Sequence, residues 1–143
     1  MSEENKAIVR RVYEQVWSKG NLDIVDELYA ADFVLHDPAQ PGIRGPEGYK
    51  QIVTGNRTAF PDLQITVEDQ LAEGDKVATA WVARGTHNGE FAGTPPTGTQ
   101  GTVTGTTISR VVAGKIVAER SNWDTLGLLQ QLGVIPVPDA AAG

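Results

Sequence analysis

The residues best suited to chemistry lie along the last predicted strand, residues 116–124. If the carboxylate of Asp124 faces the interior, the two-residue period of a strand places Asn122 and Arg120 on the same side. A carboxylate beside apolar walls can exchange protons near neutral pH, whereas a neighbouring guanidinium keeps it ionised. Alternatively, Asp124 caps the helix that follows, a position that Asp favours. Both roles can hold together, and the sequence leaves them open.

Three other polar residues could contact a ligand. Asn56 shares the apolar stripe of a predicted helix, where its amide needs a partner, either a ligand carbonyl or enolate oxygen or a backbone group of the sheet. His36 ends one strand and His87 ends another, and each could reach a ligand or have only a structural or surface role. In a catalytic site, these side chains would orient or polarise a carbonyl oxygen for Asp124.

The walls of a cavity beside Asp124 are expected to be aromatic and apolar, a surface that suits polycyclic ligands. Trp123 has the opposite parity to Asp124, so a regular strand turns only one of the two inward. Histidines and carboxylates lack metal-site spacing, and the glycines of 89–101 lack the strand–turn–helix context of a phosphate-binding loop, so we expect neither metal nor cofactor. The expected ligand contacts are Tyr13, Trp17, Phe60, Trp81, Phe91, Arg120, Asn122 and Leu128.

The elements that position these residues follow from the period of the apolar residues. Long consecutive strands with turn-length connections predict an α+β fold with a curved antiparallel or mixed sheet, and helices on one face of it. Such a sheet and its helices would enclose one apolar cavity. The predicted elements are helices at 5–18 and 22–29, a strand at 33–36, a helix at 46–60, strands at 63–68, 77–86, 102–112 and 116–124, and a helix at 125–132.

Length and composition bound the kind of protein. The 143 residues fit a single domain, with a frayed tail expected at 134–143. A net charge of −6, with no lysine or arginine cluster beyond Arg10-Arg11, argues against nucleic acid as a partner. We expect no membrane association, since no apolar run approaches the ~20 residues that span a bilayer. With no secretory signal at its start, the chain is expected to be cytoplasmic.

Five segments of the sequence carry a family resemblance: Ala59-Phe60-Pro61-Asp62-Leu63, Gly85 to Phe91 (GTHNGEF), Pro96-Thr97-Gly98, Gly114-Lys115-Ile116-Val117 and Trp123 to Gly133 (WDTLGLLQQLG). Together they resemble the SnoaL-like polyketide cyclases of the NTF2-like superfamily, and the likeness runs from about residue 5 to residue 133. The resemblance implies a cone-shaped α+β barrel that often forms dimers or tetramers through its outer sheet surface.

The same resemblance implies an activity. An Asp at the position of Asp124 is the general acid/base of the cyclases, which close a ring of an anthracycline precursor by an intramolecular aldol reaction without metal or cofactor. The expected activity is therefore cofactor-independent proton transfer by a cyclase or an isomerase, and the expected partner is a hydrophobic small molecule with a carbonyl group. Two alternatives stay open: a cavity that only binds a hydrophobic metabolite, and activation of water by Asp124 and Arg120, as in proteins similar to limonene epoxide hydrolase.

Overall fold

A curved, six-stranded mixed sheet forms the framework of the protein, and helices cover its concave face. The computed structural model describes residues 2–138. The sheet order is β2-β1-β6-β5-β4-β3. The elements are α1 (Ser2–Arg11), a π-helical segment (Val12–Trp17), α2 (Asp23–Leu28), β1 (Tyr29–His36), β2 (Ile43–Arg44), α3 (Gly45–Ala59), β3 (Gln64–Glu73), β4 (Lys76–Thr86), β5 (Gln100–Val112), β6 (Lys115–Trp123) and α4 (Thr125–Gln131).

The N-terminal helical pair consists of α1 and the π-helical segment that continues it directly from Val12. In that segment Ser18 donates its backbone N–H to the carbonyl of Tyr13, five residues earlier. The wider turn keeps Tyr13 and Trp17 on the sheet side of the helix, where both contact the core. Gly20 ends this helix with a φ of 74°, a left-handed conformation that glycine adopts without a Cβ clash.

The third predicted helix is confirmed as α3. Pro46 lies in its first turn, where the missing N–H costs nothing, and the helix ends at Ala59 before Pro61. Its buried side chains, Tyr49, Ile52 and Val53, face the sheet. They pack against β1, so that α3 and the N-terminal helical pair cover the same concave surface.

Strands β3 to β6 form an antiparallel meander, as the sequence predicts. The pairing of Thr79 with Thr107, and of Thr107 with Ser121, places these three side chains in one row on the concave face. A bulge between Arg110 and Val111 shifts the register of β6 near its start. Inward and outward residues therefore cannot be assigned by counting in twos along the whole of β6.

Two features of the sheet were not predicted. Strand β1 starts at Tyr29, earlier than expected, and pairs in parallel with β6, where Leu35 lies opposite Glu119. The loop after β1 contains the two-residue strand β2, antiparallel to β1. Of the predicted frayed tail, residues 139–143 lie outside the described part of the chain, and Val134 still donates its N–H to Leu129.

Candidate active site

The site is a cavity between the concave face of the sheet and the helices. Its space free of protein atoms is about 860 Å³ when the solvent at its open mouth is counted. The wall is mainly apolar, with a few polar groups at defined places. The helices contribute Tyr13, Trp17, Tyr49, Ile52 and Asn56, and the strands contribute Leu35, Ile65, Trp81, Ala83, Val103, Thr107, Glu119, Ser121 and Trp123.

The strand register shows which residues lie at opposite ends of the cavity wall. Glu119 pairs with Ser109 of β5, whereas Gly101, eight residues earlier on β5, lies at the other end of the wall beside Leu128 of α4. At about 3.3 Å per residue, this stretch of β5 is about 26 Å long. Glu119, which is only 3% exposed, therefore lies at the end of the wall that is far from α4.

Glu119 is a buried carboxyl group on the wall of this cavity. Its Oε2 accepts a hydrogen bond from the hydroxyl of Ser109 at 2.8 Å, and its Oε1 accepts one from the hydroxyl of Tyr29 at 3.4 Å. Burial raises the pKa of Glu119 to about 7, although both hydrogen bonds act in the opposite direction. The carboxyl group can therefore both accept and donate a proton near neutral pH.

Three phenols surround this carboxyl group. Burial first, and the negative charge of Glu119 second, raise the pKa of Tyr13, Tyr29 and Tyr49, so all three stay protonated. The hydroxyl of Tyr49 accepts a hydrogen bond from the indole of Trp17 at 2.7 Å. Since Tyr13 and Tyr49 lie on the cavity wall, their hydroxyl groups can donate to an oxygen of a bound ligand.

A second polar row lies beside the phenols. Thr107 accepts a hydrogen bond from the indole of Trp81 at 3.0 Å, and its hydroxyl lies 2.8 Å from that of Ser121. Trp81 has room because the facing position on β5 is Gly105, where a Cβ would collide with the indole ring. The glycine at position 105 therefore permits the position that the Trp81 indole takes on the cavity wall.

The prediction that Asp124 faces the cavity is wrong. Its side chain is exposed, and it is absent from the cavity wall. Strand β6 ends at Trp123, and Asp124 is the N-cap of α4, with its Oδ1 accepting the N–H of Gly127 at 2.9 Å. The capping alternative is the one that the structure shows, and Gly127 leaves room for it, since a Cβ there would collide with the carboxylate.

The predicted inward row of β6 is wrong as well, because the alternate residues of the strand face the cavity. Arg120 and Asn122 are exposed on the outer face, and neither lies on the cavity wall. The inward residues are Glu119, Ser121 and Trp123, the opposite parity. Water activation by Asp124 and Arg120 consequently has no support from the geometry, because neither side chain reaches the cavity.

Most of the other expected contacts do lie on the wall. Asn56 is there and donates its Nδ2–H to the carbonyl of Ile52 in its own helix at 2.9 Å, so the backbone partner belongs to the helix and not to the sheet. Its Oδ1 and second N–H stay available to a ligand. Ligand contact by the remaining wall residues stays a prediction; these are Tyr13, Trp17, Phe60, Trp81 and Leu128.

Both histidines and Phe91 lie off the wall. His36 is exposed on the outer side of β1. His87 is fully buried, its Nδ1 accepts the N–H of Thr97 at 3.2 Å, and its ring packs on Phe60 at 5.5 Å between centroids. Phe91 packs on the same ring at 5.6 Å. His87 and Phe91 thus support Phe60 from behind.

Glu119 is not among the predicted site residues, although the sequence contains a feature that indicates its inward position. Residues 119–122 of β6 are polar on both faces, so alternation alone does not show which face is inward. The aromatic residue at the end of the strand decides the matter. Because Trp123 faces inward, the two-residue period selects Ser121 and Glu119.

Neither a metal-ligand cluster nor a bilayer-spanning helix occurs within residues 2–138. Within that range, no three histidine, aspartate or glutamate side chains come together as a metal-ligand set. No helix in that range has the length and apolar character needed to cross a bilayer.

The fold and cavity define a class of small α+β proteins in which a curved sheet and helices enclose a chamber containing a titratable carboxyl group. The SnoaL-like polyketide cyclase model matches residues 7–132. Aklanonic acid methyl ester cyclase DauD of Streptomyces sp. (strain C5) is 33% identical, over 88% of this chain and 80% of its own. The chain belongs to the SnoaL-like polyketide cyclase family.

Two further proteins give the same result. Aklanonic acid methyl ester cyclase DnrD of Streptomyces peucetius is 31% identical, over 88% of each chain. The structure of IdmH from Streptomyces antibioticus, a proposed polyketide cyclase, superposes with a TM-score of 0.80 at 36% identity, covering 91% of this chain and 99% of its own. The predicted family and fold class are confirmed.

Proposed function

We propose that this protein is a cofactor-independent cyclase that closes a ring by an intramolecular aldol reaction on a hydrophobic, polyketide-like carbonyl compound. The observation that carries the proposal is Glu119, a buried carboxyl group with a pKa of about 7 on the wall of a mainly apolar cavity. Family membership supports the reaction type.

The reaction needs two proton transfers, and the cavity supplies a group suited to them. A proton leaves the carbon next to one carbonyl, that carbon attacks a second carbonyl of the same molecule, and the oxygen of the second carbonyl receives a proton. A carboxyl group whose pKa lies near the working pH is effective in either transfer. Glu119 meets that condition and replaces Asp124 as the proposed acid/base.

Negative charge develops on a carbonyl oxygen during both steps. The hydroxyl groups of Tyr13 and Tyr49 remain protonated because burial raises their pKa values, so they can donate to that oxygen. Preorganised donors in a site with little water stabilise such charge more than bulk water does. Trp81 and Trp123 supply flat walls for a polycyclic framework.

The chosen probe is aklanonic acid methyl ester, the compound after which DauD and DnrD are named. The protein is incubated with the probe in the presence of a metal chelator and without added cofactor, and products are separated by chromatography with mass detection. Because an aldol closure only rearranges atoms, we expect a new compound of unchanged mass.

The matched variants are Glu119→Gln and Glu73→Gln, which make the same chemical change inside the cavity and on the exposed end of β3. We expect Glu119→Gln to lower kcat/KM by at least about 100-fold, the scale of general acid–base catalysis, and Glu73→Gln to leave it unchanged. Binding of the probe by both wild type and Glu119→Gln without conversion would favour the alternative of a binding protein.

A further inference from the structure

A second carboxyl group lies on the wall of the same cavity. Asp37 directly follows β1 and is only 8% exposed. Phe33, Leu35 and Asp37 are buried in alternation, so the carboxyl group continues the inward row of β1.

The local hydrogen bonds hold Asp37 in place through only one of its two carboxylate oxygens. Oδ1 accepts the backbone N–H of Ala39 at 2.8 Å, and the carbonyl of Asp37 accepts the N–H of Gln40 at 3.0 Å. Within residues 2–138, no hydrogen bond to Oδ2 is present. One oxygen therefore fixes the turn while the other stays available on the cavity wall.

The register of β1 and β6 relates Asp37 to Glu119. Leu35 lies opposite Glu119 in the parallel pair, and Asp37 is two residues beyond Leu35, directly after the end of β1. Strand spacing of about 4.8 Å and a rise of about 3.3 Å per residue put the two Cα atoms about 8 Å apart. That separation leaves room for a substrate segment between two carboxyl groups that project into one chamber.

We propose that Asp37 is the second catalytic carboxyl group, removing the proton from the carbon that becomes the nucleophile, while Glu119 donates the proton that the new hydroxyl group receives. This proposal rests on the function proposed above and deepens it. The placement favours this division, because Glu119 is the more buried of the two and accepts two hydrogen bonds, whereas Asp37 keeps one oxygen without a partner in the described residues.

The protons and electrons of the step balance. The Asp37 carboxylate takes the proton of the α-carbon, and the electron pair of that C–H bond forms the new C–C bond at the second carbonyl. The π electrons of that carbonyl become the alkoxide, which takes the proton of Glu119. Asp37 ends protonated and Glu119 ionised, and one proton moving from the first to the second restores both.

The two half-reactions can be measured separately with aklanonic acid methyl ester. In D₂O, nuclear magnetic resonance follows exchange of the α-protons, and chromatography follows ring closure. We expect Asp37→Asn to slow enzyme-catalysed exchange and closure by at least about 100-fold. We expect Glu119→Gln to slow closure as strongly while its exchange stays within about threefold of wild type.

Controls separate chemistry from structure. Asn can accept the N–H of Ala39 as Asp does, so Asp37→Asn should unfold at the wild-type temperature. Asp37→Ser keeps a short oxygen acceptor for that turn and should show the same loss of exchange. Asp32→Asn changes an exposed carboxylate of the same strand and should exchange at the wild-type rate.

The outcomes distinguish the two proposals. If the wild type neither exchanges nor cyclises the probe, the proposed function fails. If the wild type cyclises the probe but Asp37→Asn still exchanges α-protons at the wild-type rate, only the role of Asp37 is overturned. Equal loss of exchange in Asp37→Asn and Glu119→Gln would also overturn the division of labour.

Discussion

Replacing Glu119 by Gln should change how the stability of the protein depends on pH. Burial raises the pKa of Glu119 from an ordinary value of 4.5 to about 7, so between these pH values the folded state binds more protons than the unfolded state. Stability is therefore highest below pH 4.5 as far as this group is concerned, and it falls as the pH rises towards 7. Gln is neutral at every pH and removes this dependence.

The magnitude follows from the shift. At about 1.4 kcal/mol per pH unit, the wild type should lose roughly 2–3 kcal/mol of unfolding free energy from this group between pH 5 and pH 8.5. Urea unfolding of wild type and Glu119→Gln at both pH values gives the quantity directly, because titration of all other groups cancels in the difference. The variant should gain roughly 2–3 kcal/mol relative to wild type at the higher pH.

A pH-independent difference between the two proteins would refute this reasoning. It would mean that Glu119 titrates alike in the folded and unfolded states, so that the carboxyl group is not desolvated in the folded protein. The matched variant Glu73→Gln, changed at an exposed position, should follow the wild-type pH dependence throughout.

Three further predictions follow from the site. Ser109→Ala removes a donor to the carboxylate of Glu119, so the Glu119-dependent transition in the pH profile of kcat/KM should move up by about one pH unit. Gly105→Ala forces the Trp81 indole aside and should cost about 1–3 kcal/mol in urea unfolding, with a changed tryptophan fluorescence spectrum. Asp124→Ala removes the cap of α4 and should lower unfolding free energy by about 1 kcal/mol, with turnover per folded molecule unchanged.

The helices and the antiparallel meander could be predicted because local patterns determine them. The stripe of Val9, Val12 and Val16 fixes the buried face of the first helix, and all three are buried. Pro46 and Pro61 bracket α3. The parallel pairing of β1 with β6 joins segments separated by most of the chain, and no local pattern encodes it.

The candidate site was harder to predict, because its chemistry depends on one parity choice. Strand β6 has polar residues on both faces. A prediction that places Asp124 inward therefore also places Arg120 and Asn122 inward, and all three side chains are exposed in the structure. Only the end of the strand at Trp123 shows that Asp124 belongs to the turn. The aromatic wall was predictable, since large apolar side chains are buried whichever chemistry the site performs.

The most direct test compares ring closure by Glu119→Gln and Asp124→Asn side by side, at equal concentrations of folded protein. Asn caps a helix about as well as Asp, so the second variant keeps its fold. The buried position of Glu119 predicts that turnover is lost in Glu119→Gln and retained in Asp124→Asn. Loss of turnover in Asp124→Asn together with full activity in Glu119→Gln would contradict the account.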